Sequence, residues 1–116
     1  MLLKARTSGE LAEIAGLVVG RSCDLRSVAL DDQGGKLHVP LVDHSDGGGA
    51  VSELIVRRVV EFSVHAARGR RVFDVDGLSY DRRARRVSIR SEGRLDVVVT
   101  VERLDVALRM RPRRMS

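Results

Sequence analysis

The sequence predicts a mainly β (α+β) fold, with an N-terminal helix followed by about six largely antiparallel strands. Apolar and polar residues alternate over much of the chain after position 22, which is the period of a half-buried strand. One segment near the N-terminus instead has helical spacing behind a capping motif. The third observation is a pattern of apolar and acidic residues that occurs twice, 50 positions apart.

This repeat predicts the internal organisation of the fold. The first copy starts at Cys23 and the second at Phe73, and two aspartate pairs are identical between them, Asp24 with Asp74 and Asp31 with Asp81. We interpret residues 23–66 and 73–110 as one supersecondary unit used twice, which predicts pseudo-two-fold symmetry. Two unrelated hairpins of equal loop length would share the same alternation, so that interpretation stays open.

The predicted helix begins after Thr7. Thr7 and Glu10 have the spacing of a capping box, in which the two side chains satisfy backbone N–H groups of the first turn. Apolar residues then fall on one helical face, and Gly20 is a natural end of the helix. These apolar residues are Leu11, Ile14, Ala15 and Val18.

Two hairpins are predicted, the first from strands 23–31 and 36–42 and the second over residues 78–90. The first turns at residues 32–35, where two glycines can adopt positive φ without steric cost. Pro40 lacks the N–H group that a strand ladder needs, so the sequence predicts that its strand lies at a sheet edge.

Two longer strands complete the prediction, at 53–66 and 95–110. In the first, alternate residues are expected to face the core: Leu54, Val56, Val60, Phe62, Val64 and Ala66. In the second, the apolar parity changes near Glu102, which predicts a β-bulge or a sharp bend. Similar changes occur between Leu25 and Val28 and between Val75 and Leu78. Because bulges curl a sheet, we expect a small barrel or tight sandwich.

Composition indicates one globular domain with a basic tail. The chain has 116 residues, 43% of them hydrophobic but only 3% aromatic, so the core must be aliphatic. Its net charge of +5 comes mainly from the C-terminus, because residues 1–108 carry 17 basic against 16 acidic side chains. We therefore predict a single domain at 1–108 and a flexible tail at 109–116.

Cellular location and cysteine use are expected to be those of a cytoplasmic protein. No apolar run approaches the roughly 18 residues of a membrane helix, and no signal peptide is recognisable, so we expect no membrane partner. Cys23 is the only cysteine, which excludes an internal disulfide, and a small buried apolar role is expected for it.

Catalytic and metal-binding chemistry finds no support in the sequence. No known nucleophile, phosphate-loop or zinc motif is present, and we predict no catalytic residue, no metal site and no cofactor. The cluster at Asp43, His44 and Asp46 has metal-ligand chemistry, but it contains one histidine and adjoins three glycines. Asp31 and Asp81 have the positions of turn-forming aspartates.

Arginine clusters are the candidate binding residues. A nucleic-acid interface would use Arg68, Arg70, Arg71, Arg82, Arg83, Arg85, Arg86, Arg111, Arg113 and Arg114. Against it stands the scarcity of aromatic side chains on which bases would stack. A solvated basic loop that aids solubility is the alternative reading.

The leading functional prediction is a non-enzymatic protein-interaction or scaffolding module that forms a homo-oligomer. Segments 59–60 and 97–99 are apolar on both strand faces, so each must be central, covered on both sides or buried at a subunit contact. Nucleic-acid binding through the arginine clusters is the alternative. A ligand site or active site between the two copies is a third class, and the protein partner is unknown.

Overall fold

The computed structural model describes residues 2–31, 35–43, 50–66, 72–91 and 95–110. Over these residues the fold is mainly β with one α-helix, which confirms the predicted fold class. In chain order the elements are β1 (Leu2–Ala5), α1 (Ser8–Val18), β2 (Ser22–Asp24), a 3₁₀ turn (Leu25–Ser27), β3 (Ala29–Asp31), β4 (Lys36–Asp43), β5 (Ala50–Val56), β6 (Val59–Ala66), β7 (Val72–Asp74), β8 (Gly77–Asp81), β9 (Arg86–Ser91), β10 (Leu95–Val101) and β11 (Val106–Met110).

The strands form two antiparallel sheets. The seven-stranded sheet has the order β1-β11-β5-β4-β2-β7, and β3 also pairs with β4. The four-stranded sheet has the order β6-β10-β9-β8. Among the described residues both sheets have free edges, so neither closes into a barrel. Helix α1 packs against β8 of one sheet and β1 of the other.

The helix starts as the sequence predicts. Thr7 is its N-cap, and its hydroxyl oxygen accepts a hydrogen bond of 3.2 Å from the Glu10 N–H. Leu11, Ile14 and Val18 are buried, so the predicted apolar face is the one that packs. Gly20 has a φ of 89°, a conformation that costs glycine nothing.

One hydrophobic core draws on both sheets and the helix, and it is almost entirely aliphatic. Its fully buried members include Leu37, Val39, Leu41, Leu54, Val56 and Leu108 from the seven-stranded sheet and Val87, Ile89, Val97 and Val99 from the four-stranded sheet. Each such side chain stabilises the fold by about 1.5–3 kcal/mol relative to exposure. Packing between sheets is therefore the main source of stability.

The predicted strand at 53–66 is in fact two strands. Chain direction changes at Arg57 and Arg58, where Arg58 has a positive φ of 57°, and β5 and β6 lie in different sheets. Val60, Phe62 and Val64 are 61%, 38% and 39% exposed, so their predicted burial is wrong. The reason is topological, because β6 lies at the edge of its sheet.

The predicted strand at 95–110 is also divided. β10 ends at Val101, and the chain crosses to the other sheet before β11 begins at Val106. The parity change near Glu102 marks this crossing, although a separate register shift against β6 does occur at Thr100–Val101. With both long strands divided and short strands added at positions the sequence did not mark, the described strands number eleven rather than six.

The two crossings contact each other. The Arg57 N–H donates to the Asp105 carbonyl oxygen at 2.8 Å, and the Glu102 N–H donates to the Arg58 carbonyl oxygen at 3.0 Å. The Arg58 Nε also lies 3.6 Å from Oδ2 of Asp105, whose residue is 7% exposed. These bonds join the two places where the chain changes sheets.

Pro40 lies in an interior strand, so its predicted edge position is wrong. β4 pairs with β5 on one side and with both β3 and β2 on the other. On that second side β3 pairs with residues 36–38 and β2 with residues 41–42, so Pro40 lies at the gap between them. A gap in the ladder accommodates a residue without an N–H.

The remaining parity changes have other causes than bulges. The change after Leu25 is the 3₁₀ turn, and the one after Val75 is a short break between β7 and β8. At the C-terminus, Arg109 and Met110 belong to β11, so the strand extends two residues past the predicted domain boundary. Residues 111–116 of the predicted tail lie outside the described residues.

Candidate functional site: the open edge of β6

Strand β6 forms one edge of the four-stranded sheet, and among the described strands it pairs with β10 alone. It has eight residues, and residues 60–65 are all exposed. An edge strand of this length presents a row of backbone N–H and C=O groups to an incoming strand. Natural edges are usually short, bulged or covered, and this one is long, with a register shift against β10 and a hydrogen bond of 2.9 Å from the Val59 N–H to the Gly35 carbonyl oxygen confined to its first residues.

The side of β6 to which each residue directs its backbone N–H and C=O groups follows from the hydrogen bonds of the neighbouring strand β10. The Val101 N–H donates to the Arg85 carbonyl oxygen at 2.9 Å, which directs the backbone groups of Val101 towards the β9 side. Neighbouring residues of a strand direct these groups to opposite sides, so Thr100 faces β6, where it pairs with Glu61. The next residue, Phe62, therefore directs its N–H and C=O to the open edge, as does Val64.

The side chains of Phe62 and Val64 belong to the core-facing side of the sheet. Phe62 pairs with Val99 and Val64 with Val97, and opposite residues on paired strands share a face. Val97 and Val99 are 1% and 0% exposed, while their β6 neighbours remain over a third exposed. The row of apolar side chains that begins in the core thus reaches the edge strand, where its last members are exposed to solvent. Val60 is a third exposed apolar residue of this strand.

The opposite, outer face of the same sheet contains a cleft of about 350 Å³. Its lining consists of Glu61, Phe62, Ser63, His65, Arg86, Asp96, Val98 and Thr100. Strand register sets these in rows across the sheet, since Glu61 pairs with Thr100 and Thr100 with Arg86, while His65 pairs with Asp96. We refer to this feature as the outer cleft.

Asp96 is the unusual member of the outer cleft. Its Oδ1 is buried and has no hydrogen-bond partner. Within the described ranges the ion pairs are His38 with Glu53 and Arg58 with Asp105, so the charged groups of the cleft are not paired with one another. A carboxylate oxygen left in this state costs free energy unless something outside the chain satisfies it.

The arginine-rich turn connects β8 and β9. Arg82, Arg83, Arg85 and Arg86 are all exposed. Oδ1 of Asp81 accepts hydrogen bonds of 3.0 and 3.2 Å from the N–H groups of Arg83 and Ala84. This confirms the turn-forming role predicted for Asp81.

Two arginines of this turn line different cavities, so the turn does not present one continuous basic surface. Arg86 lines the outer cleft, whereas Arg82 lines a second cavity, of about 380 Å³, at the N-terminus of α1. Arg6, Thr7, Ser8, Tyr80 and Leu104 complete that cavity. The other candidate arginines, Arg68, Arg70, Arg71, Arg111, Arg113 and Arg114, lie outside the described residues.

Cys23 occupies a buried position in β2 and is 1% exposed, as predicted. Burial, together with the nearby Asp24 carboxylate, raises the pKa of the thiol to about 11. Because the thiolate is the reactive form, this cysteine is inert near neutral pH.

Metal ligands are not clustered in the part of the chain that the structure describes, where no group of three or more suitable side chains occurs. His44 and Asp46, from the cluster considered in the sequence, lie outside that part. None of the described helices has the length and hydropathy needed to cross a membrane.

The open edge and the outer cleft are candidate sites that sequence patterns did not indicate. The alternation of Val60, Phe62 and Val64 is the same as that of a buried strand. Only the crossing at Arg57–Arg58, which has no glycine or proline, places them at an edge. Comparison of the chain with protein-family models, with curated proteins and with solved structures gives no match.

Proposed function

We propose that the protein is a non-enzymatic interaction module that self-associates by antiparallel pairing of β6 with β6 of a second copy. The observation that carries this proposal is the edge itself, an eight-residue strand whose core-facing Phe62 and Val64 remain exposed. Pairing would satisfy the free backbone groups and remove this apolar margin from water at the same time.

An internal two-fold relation supports the choice of edge. Cys23 and Phe73 are equivalent positions of the repeat, and they pair directly across β2 and β7, as an antiparallel two-fold requires. The later strands of the two halves are exchanged, since β6 pairs with β10 and β11 with β5. We infer that β6 and β11 are counterparts in two swapped units that form a tight sandwich.

Strand β1 provides a template for how such an edge is covered. It lies antiparallel on the outer edge of β11, with Leu3 opposite Leu108 and Ala5 opposite Val106. In the described part of the chain no strand lies at the corresponding edge of β6. A second copy would supply that strand.

Self-pairing is favoured by a register centred on Ser63. In that register Phe62 of one copy lies opposite Val64 of the other, and both use backbone groups that face the edge. Glu61 of each copy then lies opposite His65 of the second copy, so the charges are complementary whenever the imidazole is protonated. This complementarity is the reason for choosing a second copy as the occupant.

Light scattering after size-exclusion chromatography tests the proposal. We expect a dimer that persists in high salt, because its contacts are apolar and backbone-mediated. Val64→Lys should give a folded monomer whose melting temperature falls only by the stabilisation that dimerisation adds to the wild type. Val72→Lys is the matched control, since Val72 is 46% exposed on the short edge strand β7, and it should remain dimeric. A wild-type monomer at all concentrations would refute self-association.

A charge exchange tests the register. Glu61→Lys should weaken the dimer by placing a cation opposite His65 of the second copy, and adding His65→Asp in the same chain should restore it. Each exposed pair contributes about 0.2–1 kcal/mol, and the two-fold axis doubles the effect. If the double variant is no tighter than Glu61→Lys alone, another register is present.

Nucleic-acid binding remains the alternative function. It draws support from the exposed turn at 82–86 and from the cavity where Arg82 and Arg6 meet the N-terminus of α1. Fluorescence anisotropy with single-stranded RNA and duplex DNA distinguishes it. Binding that weakens steeply with salt and is lost in Arg82→Gln with Arg83→Gln would favour this function over self-association.

A further inference from the structure

We propose that the outer cleft binds a small zwitterion that carries a guanidinium or ammonium group together with a carboxylate, as a free basic amino acid does. The proposal concerns the outer face of the four-stranded sheet and does not depend on self-association through β6. Its basis is an unsatisfied carboxylate in a cleft that also holds an unpaired guanidinium.

The cationic end of the ligand is specified by Asp96. Oδ1 of Asp96 is buried and lacks a donor, and rotation about the Cβ–Cγ bond exchanges it with the second carboxylate oxygen. Either oxygen accepts best from a charged N–H group. Glu61 supplies a second carboxylate to the same cleft, but it lies in the row of Thr100 and Arg86, where it would meet the α-ammonium group that an amino acid carries next to its carboxylate.

The anionic end is specified by Arg86. It extends from β9 into the same cleft and has no ion-pair partner among the described residues. Arg86 pairs with Thr100, which is four residues from Asp96 along β10, so the backbones of Arg86 and Asp96 are about 14 Å apart, which suits a ligand with opposite charges at its two ends. A guanidinium recognises a carboxylate through two parallel hydrogen bonds.

The remaining lining fits the body of such a ligand. Ser63 and Thr100 offer hydroxyl groups, and Val98, which is opposite Ser63 and between Asp96 and Thr100 on β10, forms an apolar floor. A volume of about 350 Å³ is at the small end of ligand sites and accommodates an amino acid. A purely cationic or purely anionic ligand would leave one end unpaired.

Amide chemical shifts measured in titrations with L-arginine and with agmatine test the proposal. Agmatine keeps the guanidinium but replaces the carboxylate with hydrogen, so it isolates the Arg86 contact. We expect saturable shifts at Ser63, His65 and Asp96 with L-arginine, and weaker binding of agmatine. Asp96→Asn should weaken L-arginine binding by about tenfold or more, which is the effect of losing one charged hydrogen bond.

Three variants complete the test. Arg86→Gln should reduce L-arginine affinity to that of agmatine. Glu61→Gln removes the other carboxylate of the cleft and takes the place of Asp96→Asn if that variant does not fold. Glu13→Gln, an exposed carboxylate on α1, is the matched control and should change nothing. Absence of saturable shifts, or binding equal in wild type and Asp96→Asn, would overturn the proposal. Light scattering on the same samples reports self-association separately.

Discussion

The strands β11 and β6 have similar apolar patterns but opposite surroundings. Val106 and Leu108 of β11 are 0% exposed, since β1 and β5 flank them on both sides. Phe62 and Val64 of β6 are 38% and 39% exposed, with β10 on one side only. The difference teaches that an apolar strand is buried or left exposed according to whether the chain supplies a neighbour for its second edge.

Both strands follow a crossing between sheets, and the two crossings are hydrogen-bonded to each other through Arg57 and Asp105. Among the described residues one strand precedes the helix, β1, and it lies on β11. Because β1 covers the edge of β11, the similar edge of β6 remains open to a strand from another molecule.

The largest expected effect contrasts Leu108 with Val64. Leu108→Ala should lower the free energy of unfolding by about 2–5 kcal/mol, because it leaves a cavity in the core. Val64→Ala should cost less than about 1 kcal/mol at low protein concentration, since its side chain is partly solvated. Urea unfolding at several protein concentrations measures both.

The concentration dependence sharpens this contrast. If β6 is an interface, the cost of Val64→Ala should rise with protein concentration, because dimerisation stabilises the folded state by mass action. The cost of Leu108→Ala should be independent of concentration. If Val64→Ala and Leu108→Ala lowered the free energy of unfolding equally at every protein concentration, the distinction between the two strands would be wrong.

Proline substitutions test which way the backbone of β6 faces. Ser63→Pro removes an N–H that faces β10 and should destabilise the monomer by about 1–3 kcal/mol, because the ladder loses a hydrogen bond and its acceptor is left without a partner. Val64→Pro removes an N–H that faces the open edge, so the fold should tolerate it better while the dimer is lost. Thermal unfolding together with light scattering measures the two effects. If Val64→Pro destabilised the monomer more than Ser63→Pro, the backbone N–H groups of β6 would face the opposite sides from those we assign.

The smallest effect is the alkaline response of Cys23. Its pKa is raised from 9.0 to about 11 in the folded protein, so the unfolded thiol ionises first. Stability from this group is complete below pH 9 and falls as the pH rises through about 11. Cys23→Ala should remove this part of the pH dependence in urea unfolding.

The rate at which a reagent labels the Cys23 thiol gives a kinetic test of the comparison between β11 and β6. The residue is buried between the halves of the molecule, so a thiol reagent reacts only after the sheets separate. Labelling should accelerate in Leu108→Ala and stay slow in Val64→Ala at low concentration. Fast labelling of the β6 variant would show that this edge contributes to global stability after all.

Local features of the fold could be read from the sequence because they depend on neighbours along the chain. The capping residues Thr7 and Glu10, the turn at Asp81 and the aliphatic core positions of β9 and β10 follow from spacing alone. Even the parity change near Glu102 was visible. Its cause was not, since a bulge and a crossing between sheets shift the parity equally.

Sequence by itself determined the fold class, the helix and the buried character of Cys23, Val97 and Leu108. Tertiary structure alone decided that Phe62 lies at an open edge, that Pro40 occupies a gap in an interior strand, and that Asp96 lacks a partner. Periodicity reports which side chains share a face, and it carries no information on which strand lies beside that face. Strand order depends on contacts between residues far apart in the chain, and the function we propose rests on those contacts.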